Sequence, residues 1–132
     1  MDINITFSGG KRVDAEVKGF TIKTDQSAPN GGEGSAPEPF TLFLASIGTC
    51  AGIYVLGFCQ ARSIPTDGIK VTQHVEFDPE KNRLSKVQID IRVPPSFPEK
   101  YLEAVRRAAE TCAVKKAIFD PPELIVQTQV GA

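Results

Sequence analysis

Two cysteines far apart in the sequence, Cys50 and Cys112, are the residues best suited to carry chemistry in this chain. Cys50 lies in a run from Phe40 to Gln60 that contains no Lys, Arg, Asp or Glu, whereas 23% of the whole chain is charged. Cys112 falls on the apolar face of a separate amphipathic pattern. A thiolate is a strong nucleophile, and a second thiol nearby can close a disulfide. We therefore expect a buried thiol pair whose chemistry needs a dry pocket.

Helical geometry, at about 100° per residue, sorts the side chains of the uncharged run onto different faces. The face that carries Cys50 is aromatic and aliphatic, and it also includes Phe43, Ile47, Tyr54 and Gly57. A second face consists of small residues and would let a neighbouring helix or strand approach closely: Ala45, Gly48, Thr49 and Gly52. We expect Phe43, Ile47 and Tyr54 to form the wall of a substrate pocket at the thiol.

The third cysteine, Cys59, lies about 180° from Cys50 around the same helix, so the two cannot pair within it. A free cysteine commonly packs as a small hydrophobe. We therefore predict that Cys59 fills the core and takes no part in the chemistry.

The uncharged run is also long enough to be considered as a membrane span, since 21 helical residues cover roughly 30 Å. Three glycines and several Thr, Ser and Gln residues weaken its apolar character, and no basic cluster flanks it. We predict instead a helix covered on all sides, with part of the cover supplied by a partner subunit, and no membrane association.

Size and charge limit the remaining possibilities. A chain of 132 residues is most simply one domain over residues 1–132. Its formal net charge is -1, which gives no reason to expect nucleic acid or an anionic membrane as a partner. The first ten residues lack the basic and apolar regions of a signal peptide, so a cytoplasmic location is expected. Persistent structural disulfides are uncommon there.

Strand patterns precede and follow the uncharged helix. Alternation of apolar and polar residues over 2–24, with turns at Gly9-Gly10 and Lys18-Gly19, predicts a three-strand meander. The segment from Asp25 to Pro39 is rich in Gly, Pro and Ser, and we interpret it as a long mobile loop. Two further alternating runs, over 69–77 and 84–93, predict an antiparallel hairpin.

The C-terminal part of the chain is predicted to hold a second helix and a last strand. Ser96 to Glu99 fits a capping box at the start of the helix. Apolar residues then recur at helical spacing: Tyr101, Leu102, Val105, Ala108, Ala109 and Cys112. Leu124 to Val130 is predicted to close the fold as a strand. The order of elements indicates an α+β fold with a mainly antiparallel sheet.

Two segments resemble the cysteine motifs of the OsmC/Ohr family of organic hydroperoxide reductases. The first runs from Pro39 to Cys50, and the second from Cys112 to Ala117. The spacing of the cysteines and the order of elements are also similar, so the resemblance covers nearly the whole chain. It implies an OsmC-like fold and an intertwined homodimer with two active sites at the subunit interface.

The resemblance also implies a reaction. Cys50 would be the peroxidatic thiol, which attacks an organic hydroperoxide and becomes a sulfenic acid, and Cys112 would be the resolving thiol that closes a disulfide. An apolar wall would favour alkyl or lipid hydroperoxides over hydrogen peroxide. A dithiol, such as the dihydrolipoyl group of a lipoylated protein, would restore both thiols. No cofactor or metal is implied.

A buried thiol is poorly ionised unless a cation lies near it. The family supplies an arginine from the turn between its first strands, which a glutamate early in the cysteine-bearing helix holds. Here Arg12 is the candidate, with Lys11 beside it, although a solvated hairpin turn is the alternative. The glutamate position holds Phe40 and Thr41, and Glu38 is the nearest acid in the sequence.

The second motif departs from the family pattern as well. Its usual proline and serine are replaced by Ala113 and Lys115, and Lys115 is either a charge near Cys112 or a surface lysine. These departures motivate an alternative function, a non-catalytic or differently specialised OsmC-like protein that binds small molecules and keeps its cysteines as core residues.

Other chemistries have little support in the sequence. His74 is the only histidine and lies on the polar face of a predicted strand, so neither a Cys-His pair nor a metal site is expected. The stretch from Gly31 to Gly34 lacks the Gly-Lys-Ser/Thr ending of a phosphate-binding loop.

Overall fold

The computed structural model describes residues 1–131 and has the predicted α+β architecture. In chain order, its strands and helices are β1 (Asn4–Gly9), β2 (Arg12–Val17), β3 (Phe20–Thr24), α1 (Pro39–Ala61), β4 (Lys70–Asp78), β5 (Arg83–Arg92), α2 (Leu102–Glu110) and α3 (Ala113–Phe119). The residues group into two compact units, one of residues 1–46 and one from Ile47 onward, which divide within α1. The two units are described in turn.

The first unit contains the predicted meander, an antiparallel sheet in the order β1-β2-β3. Gly9 and Gly10 both have positive φ, at 121° and 57°, which allows the tight β1–β2 turn. Lys18 and Gly19 also have positive φ, as expected for the two central residues of a type I′ hairpin. The meander prediction is thus confirmed.

Many apolar side chains of this sheet are exposed in the single chain. Phe7 is 85% exposed and Phe20 is 70% exposed. Three more residues of the sheet region are also exposed, namely Ile3, Ile5 and Ile22. A concentration of exposed apolar side chains is typical of an interaction surface rather than of a solvated sheet.

The second unit has its core on one face of α1. The buried residues of the helix recur at helical spacing, and they are Ile47, Ala51, Val55, Phe58 and Cys59. Val55, Phe58 and Cys59 form a cluster with Phe97 and with Val105 of α2. Each fully buried aliphatic or aromatic side chain contributes about 1.5–3 kcal/mol to stability, so this cluster is the main apolar stabilisation of the unit.

The single chain covers α1 only in part, so the predicted cover by a partner subunit stays a prediction. Ile53 is 57% exposed and Tyr54 is 38% exposed, and a Cβ atom added at Gly52 or Gly57 would meet open space. Gly48 differs, because a Cβ atom there would overlap the side chain of Gln73 on β4. The predicted close approach to small residues is therefore confirmed at Gly48.

Helix α1 is long and apolar enough to cross a membrane if only length and composition are considered, with a mean hydropathy of 1.9 in its most apolar window. The same helix supplies the core residues of the second unit, and 28% of that window is buried inside the structure. The core helix of a soluble protein meets the same two criteria.

The predicted hairpin is confirmed as the antiparallel pair β4–β5, which extends from Lys70 opposite Arg92 to Asp78 opposite Arg83 with one shift of register between Glu76 and Phe77. The carboxylate of Asp78 accepts hydrogen bonds from two backbone N–H groups of the turn, Glu80 at 3.0 Å and Lys81 at 3.3 Å. An aspartate that bonds its own turn in this way favours the reversal of the chain.

The predicted capping box at Ser96 is wrong. A 3-10 turn over Glu99–Tyr101 leads into α2, and the capping position is Pro98, with no side-chain hydrogen bond. The backbone N–H of Phe97 bonds to the carbonyl of Pro94 at 3.0 Å. Residues 94–97 are therefore already committed to a turn that buries Phe97, and Ser96 precedes the capping position by two residues.

The predicted strand from Leu124 to Val130 is not formed, because residues 121–131 contain no helix or strand. The apolar side chains of this segment are exposed; Val126, for example, is 96% exposed. Alternating apolar residues form a strand only where a sheet edge offers backbone partners. In the described part of the single chain, this segment pairs with no strand.

Candidate functional site

Cys50 lies on α1 as a free, half-buried thiol. Its neighbour one turn earlier, Ile47, is buried in the core, whereas Tyr54 one turn later is partly open to solvent. Phe43 is also partly exposed, and its ring lies 5.4 Å from that of Phe40. The three residues predicted to form the pocket wall therefore differ in exposure: Ile47 is buried in the core, whereas Phe43 and Tyr54 are partly exposed to solvent.

An open apolar groove of about 490 Å³ lies along α1. Its lining residues are Ile53, Tyr54, Gly57, Phe58 and Ala108. Of the predicted pocket residues, Tyr54 lines this groove, while Phe43 and Ile47 do not. Tyr54 follows Cys50 by one helical turn, so the groove begins next to the thiol-bearing part of the helix.

Sequence reasoning missed three of the groove residues. Ile53 lies about 100° from Tyr54 around the helix and was not on the predicted face. Phe58 closes the groove from its buried side, and Ala108 comes from α2. The helical spacing of Ala108 marked it as a core-facing residue of its own helix, but no local pattern indicates which part of α1 it faces.

Cys112 is free and 2% exposed, and its predicted place within a continuous helix is wrong. Helix α2 ends at Glu110, and Cys112 has extended backbone angles as the N-cap residue of α3. Its Sγ accepts a hydrogen bond from the backbone N–H of Lys115 at 3.4 Å. The hydroxyl of Thr111 donates to the carbonyl of Ala108 at 2.7 Å, which competes with continuation of the helix at this point.

The N-cap geometry also explains why the departures in the second motif leave the fold intact. Ala113 is the first residue of α3, a position where proline is favoured because its missing N–H is not needed. Alanine has the highest helix propensity, so it starts the helix as well. The ammonium of Lys115 lies 5.8 Å from the ring centre of Phe119. Its charge is thus engaged with an aromatic face.

Cys59 has the environment predicted for it, because it is free and completely buried within the core cluster. Burial raises the pKa of the Cys59 thiol above its ordinary value, and the positive charge of Arg62 opposes this only in part. A buried thiol that resists ionisation is a poor nucleophile.

Arg12 has an acidic partner that the sequence did not reveal. Its Nη1 lies 3.3 Å from Oε2 of Glu33, and its Nη2 donates to the carbonyl of Ser8 at 3.4 Å. Glu38 is the acid nearest in sequence to the position of the family's glutamate. It does not pair with Arg12 but accepts a hydrogen bond from the side chain of Asn30 at 3.4 Å. The guanidinium is therefore held from the loop and not from α1.

The loop that carries Glu33 is built around a buried carboxylate, so its description as a mobile loop is wrong. Asp25 is 1% exposed and accepts hydrogen bonds from the backbone N–H groups of Gln26, Glu33 and Ser35 at 2.7, 3.3 and 3.0 Å. The Ser35 hydroxyl also donates to it at 2.6 Å. The bonds from Ser35 are the main reason that the pKa of Asp25 falls to about 2.

The other charged groups singled out in the sequence lie on the surface. His74 is 3.0 Å from the Asp90 carboxylate across the β4–β5 pair. On α2, Arg106 and Arg107 pair with exposed acids of their own helix. Within residues 1–131, no group of three or more His, Cys, Asp or Glu side chains could hold a metal ion.

A family model described as OsmC-like protein matches residues 32–127. This span contains both Cys50 and Cys112 and most of the chain. The chain belongs to the OsmC-like family, and the resemblance seen in its cysteine motifs is confirmed. No curated protein sequence matches the chain.

Solved structures show the same fold at low sequence identity. A protein from Psychrobacter arcticus 273-4 is similar with a TM-score of 0.73 and 24% identity, over 87% of this chain and 85% of that one. An organic hydroperoxide resistance protein OsmC from Legionella pneumophila has a TM-score of 0.60 and 22% identity, over 89% of each chain. An organic hydroperoxide resistance protein from Elizabethkingia anophelis has a TM-score of 0.60 and 19% identity, over 89% of this chain and 87% of that one.

Proposed function

We propose that this protein is a thiol-dependent peroxidase that reduces organic hydroperoxides, with Cys50 as the peroxidatic thiol and Cys112 as the resolving thiol. The observation that carries the proposal is the placement of Cys50, a half-buried free thiol one turn from an open apolar groove. The groove can take the hydrocarbon part of an alkyl or lipid hydroperoxide while the thiol remains accessible. Family membership, and the names of two structural relatives, agree with this chemistry.

The reaction balances in three steps. The Cys50 thiolate attacks the outer oxygen of ROOH, the O–O bond breaks, and the leaving alkoxide takes a proton to become ROH. The resulting Cys50 sulfenic acid reacts with the Cys112 thiol, forming a disulfide and releasing water. A dithiol, for which the dihydrolipoyl group of a protein is our candidate, then reduces the disulfide and is itself oxidised to a cyclic disulfide.

The proposal assigns a separate task to each remaining residue. Arg12 supplies the positive charge that favours the thiolate, a role carried over from the family arginine in the same turn. Tyr54, which lines the groove one turn after Cys50, contributes apolar surface beside the thiol. Cys59 is excluded, because burial raises its pKa and removes it from solvent.

We also propose that the protein works as a homodimer in the cytoplasm. Apolar side chains that the single chain leaves exposed support a dimer, among them Ile53 on α1 and Phe7 on β1. The segment 121–131, which exposes apolar side chains and forms no strand in the single chain, would gain strand partners from a second copy. A cytoplasmic location agrees with three free thiols and with a dithiol reductant.

Steady-state peroxide consumption tests the proposal. Purified protein with excess dihydrolipoamide should consume cumene hydroperoxide faster than hydrogen peroxide at equal concentrations. Cys50→Ser should abolish the activity, whereas Cys59→Ser should retain it. Equal rates for Cys50→Ser and the unsubstituted protein would contradict the proposal.

A second function, binding of a small apolar molecule without turnover, is favoured by the groove itself. The groove is formed in the single chain and needs no thiol for an apolar ligand to bind. This function predicts that a fluorescent fatty acid binds equally well to Cys50→Ser and to the unsubstituted protein, with no peroxide consumption by either. Peroxide turnover that depends on Cys50 would decide against it.

A further inference from the structure

The apolar groove of the second unit has an arginine at one end. Its α1 residues run from Ile53 and Tyr54 to Gly57 and Phe58, toward the C-terminal end of the helix. Arg62 directly follows α1, and its guanidinium carbon lies 3.6 Å from the centre of the Phe58 ring. A positive charge therefore lies against one of the residues that line the groove.

The charge of Arg62 is not neutralised by an acid of the described chain. Within residues 1–131, no Asp or Glu forms an ion pair with it. By contrast, Arg106 on α2 pairs with both Glu103 and Glu110. Arg62 is exposed, and its Nη1 donates a hydrogen bond to the Phe58 carbonyl at 3.1 Å. A guanidinium has five N–H donors, so this bond leaves most of them for a ligand.

Two aromatic rings limit the freedom of the Arg62 side chain. Its guanidinium carbon also lies 5.3 Å from the centre of the Tyr101 ring, and the rings of Phe58 and Tyr101 meet edge to face with 5.7 Å between their centres. A guanidinium held against an aromatic ring can still bind a carboxylate through two parallel hydrogen bonds. Because the side chain is already restricted, less conformational entropy is lost when a ligand binds.

We propose that Arg62 is a carboxylate-binding subsite of the groove, which takes a fatty acid with its head group at Arg62 and its hydrocarbon chain directed along α1 toward Cys50. The groove itself is lined by uncharged residues, and its volume of about 490 Å³ is usual for a small-molecule site. One positive charge at the end of an apolar groove is complementary to a monoanion with a single hydrocarbon chain. A neutral lipid would leave the charge of Arg62 unused.

The geometry of α1 sets the length of the hydrocarbon chain. Cys50 and Phe58 are separated by about 12 Å along the helix axis, at about 1.5 Å per residue. Carbon–carbon bonds of about 1.5 Å advance an extended chain by about 1.25 Å per carbon, so about ten carbons cover this distance. The inference rests on the proposed function in that both use this groove, and under that function the substrate is the hydroperoxide of a fatty acid.

Binding of decanoate and of 1-decanol to the full-length protein tests the inference. The two probes have the same hydrocarbon chain and differ in the negative charge. Both are titrated by calorimetry into Cys50→Ser, which lacks the proposed peroxidatic thiol. The Nε–Hε NMR signal of Arg62, assigned with Arg62→Lys, reports whether the carboxylate reaches the guanidinium. Arg62→Gln removes the charge, and Lys100→Gln is the matched control, because Nζ of Lys100 lies 5.1 Å from the centre of the Tyr101 ring, which does not line the groove.

Arg62→Gln should weaken the binding of decanoate about tenfold, as expected for the loss of hydrogen bonds to a charged group, and should leave the binding of decanol unchanged. Decanoate, but not decanol, should shift the Nε–Hε signal of Arg62. Lys100→Gln should change neither affinity. If Arg62 only stabilises the end of α1, Arg62→Gln should lower the stability of the protein and affect both probes equally.

An equal change for both probes, an equal loss of decanoate binding in Lys100→Gln, or no binding of decanoate would overturn the inference. Should Arg62→Gln fail to fold, the NMR comparison of the two probes still decides, because an unshifted Arg62 signal with decanoate also overturns it. Failure of the proposed function is distinguishable, since a protein that does not consume hydroperoxide can still bind decanoate at Arg62, and all affinities are measured without the Cys50 thiol.

Discussion

The sulfur of Cys112 accepts a hydrogen bond from the backbone N–H of Lys115 at 3.4 Å, so the proposed resolving cysteine also caps helix α3. The cap accounts for the start of a new helix at Ala113, directly after the extended backbone of Cys112, which is 2% exposed. If the proposed function holds, Cys112 has both a structural role and a redox role. Substitutions at Cys112 must be chosen so that the two roles are separated.

Cys112→Ser and Cys112→Ala separate them. A serine oxygen can still cap α3, whereas alanine leaves the N–H of Lys115 without its partner, so the alanine variant should be less stable than the serine variant by about 1 kcal/mol. Urea unfolding of the reduced proteins measures the difference. Neither variant should form the disulfide. Equal stabilities would show that the sulfur contributes nothing as a cap.

The loop around Asp25 should give the protein a specific acid sensitivity. Its hydrogen bonds, chiefly those from Ser35, lower the pKa of Asp25 from its ordinary 3.8 to about 2. Between these values the unfolded chain binds more protons than the folded one, so the stabilisation is complete above about pH 4 and is lost as the pH falls toward 2.

Asp25→Asn tests this linkage. Its free energy of unfolding should change less between pH 4 and pH 2 than that of the unsubstituted protein, because the carboxylate that titrates is gone. Ser35→Ala removes the largest cause of the pKa shift and should move the acid transition to higher pH. Chemical denaturation at a series of pH values gives all three curves, and parallel curves for Asp25→Asn and the unsubstituted protein would contradict the account.

The acidic partner of Arg12 shows where sequence reasoning stops. Alternation and helical spacing are local patterns, and they correctly predicted the meander, the long helix α1 and the β4–β5 hairpin. Glu33 lies 21 residues from Arg12 in a segment without periodicity. Its position depends on the hydrogen bonds that Asp25 accepts, which no local pattern encodes. The isolated acid in a glycine-rich stretch was the one available signal.

The errors at the C-terminal end have a related cause. The apolar spacing through Cys112 fitted one helix, but a cysteine side chain can bond a backbone N–H and act as a cap, and this favoured a break. The alternation in Leu124 to Val130 is compatible with a strand, yet a strand also needs an edge to pair with. Spacing describes which residues share a face, and it does not supply the partner.

Cys59 should be unreactive in the folded protein. Burial raises its pKa, so at pH 8 iodoacetamide should modify Cys50 at least tenfold faster than Cys59, as read by peptide mass spectrometry. In urea the two rates should converge. Since the unfolded thiol ionises first, stability should also decline as the pH rises above about 9. Rapid modification of Cys59 under native conditions would contradict its assignment to the core.

The exposed face of α1 should mediate the proposed dimer. Ile53→Lys places a charge at a residue that is exposed in the single chain, so the fold should tolerate it. The dissociation constant of the dimer should rise at least tenfold, which corresponds to about 1.4 kcal/mol of binding free energy. Sedimentation equilibrium measures the change. Ile118→Lys on α3, where the isoleucine is 46% exposed, is the matched control. A chain that is monomeric without any substitution would refute the proposed homodimer.

The central claim concerns Cys50 and Cys112, and peptide mapping after a stoichiometric oxidation tests it most directly. Reduced protein treated with one equivalent of cumene hydroperoxide should lose two thiols per chain and yield a Cys50–Cys112 disulfide peptide, with Cys59 unmodified. Cys50→Ser should lose none, and Cys112→Ser should stop at a Cys50 sulfenic acid that dimedone traps. An unchanged thiol count, or an equal loss of thiols in Cys50→Ser, would contradict the account.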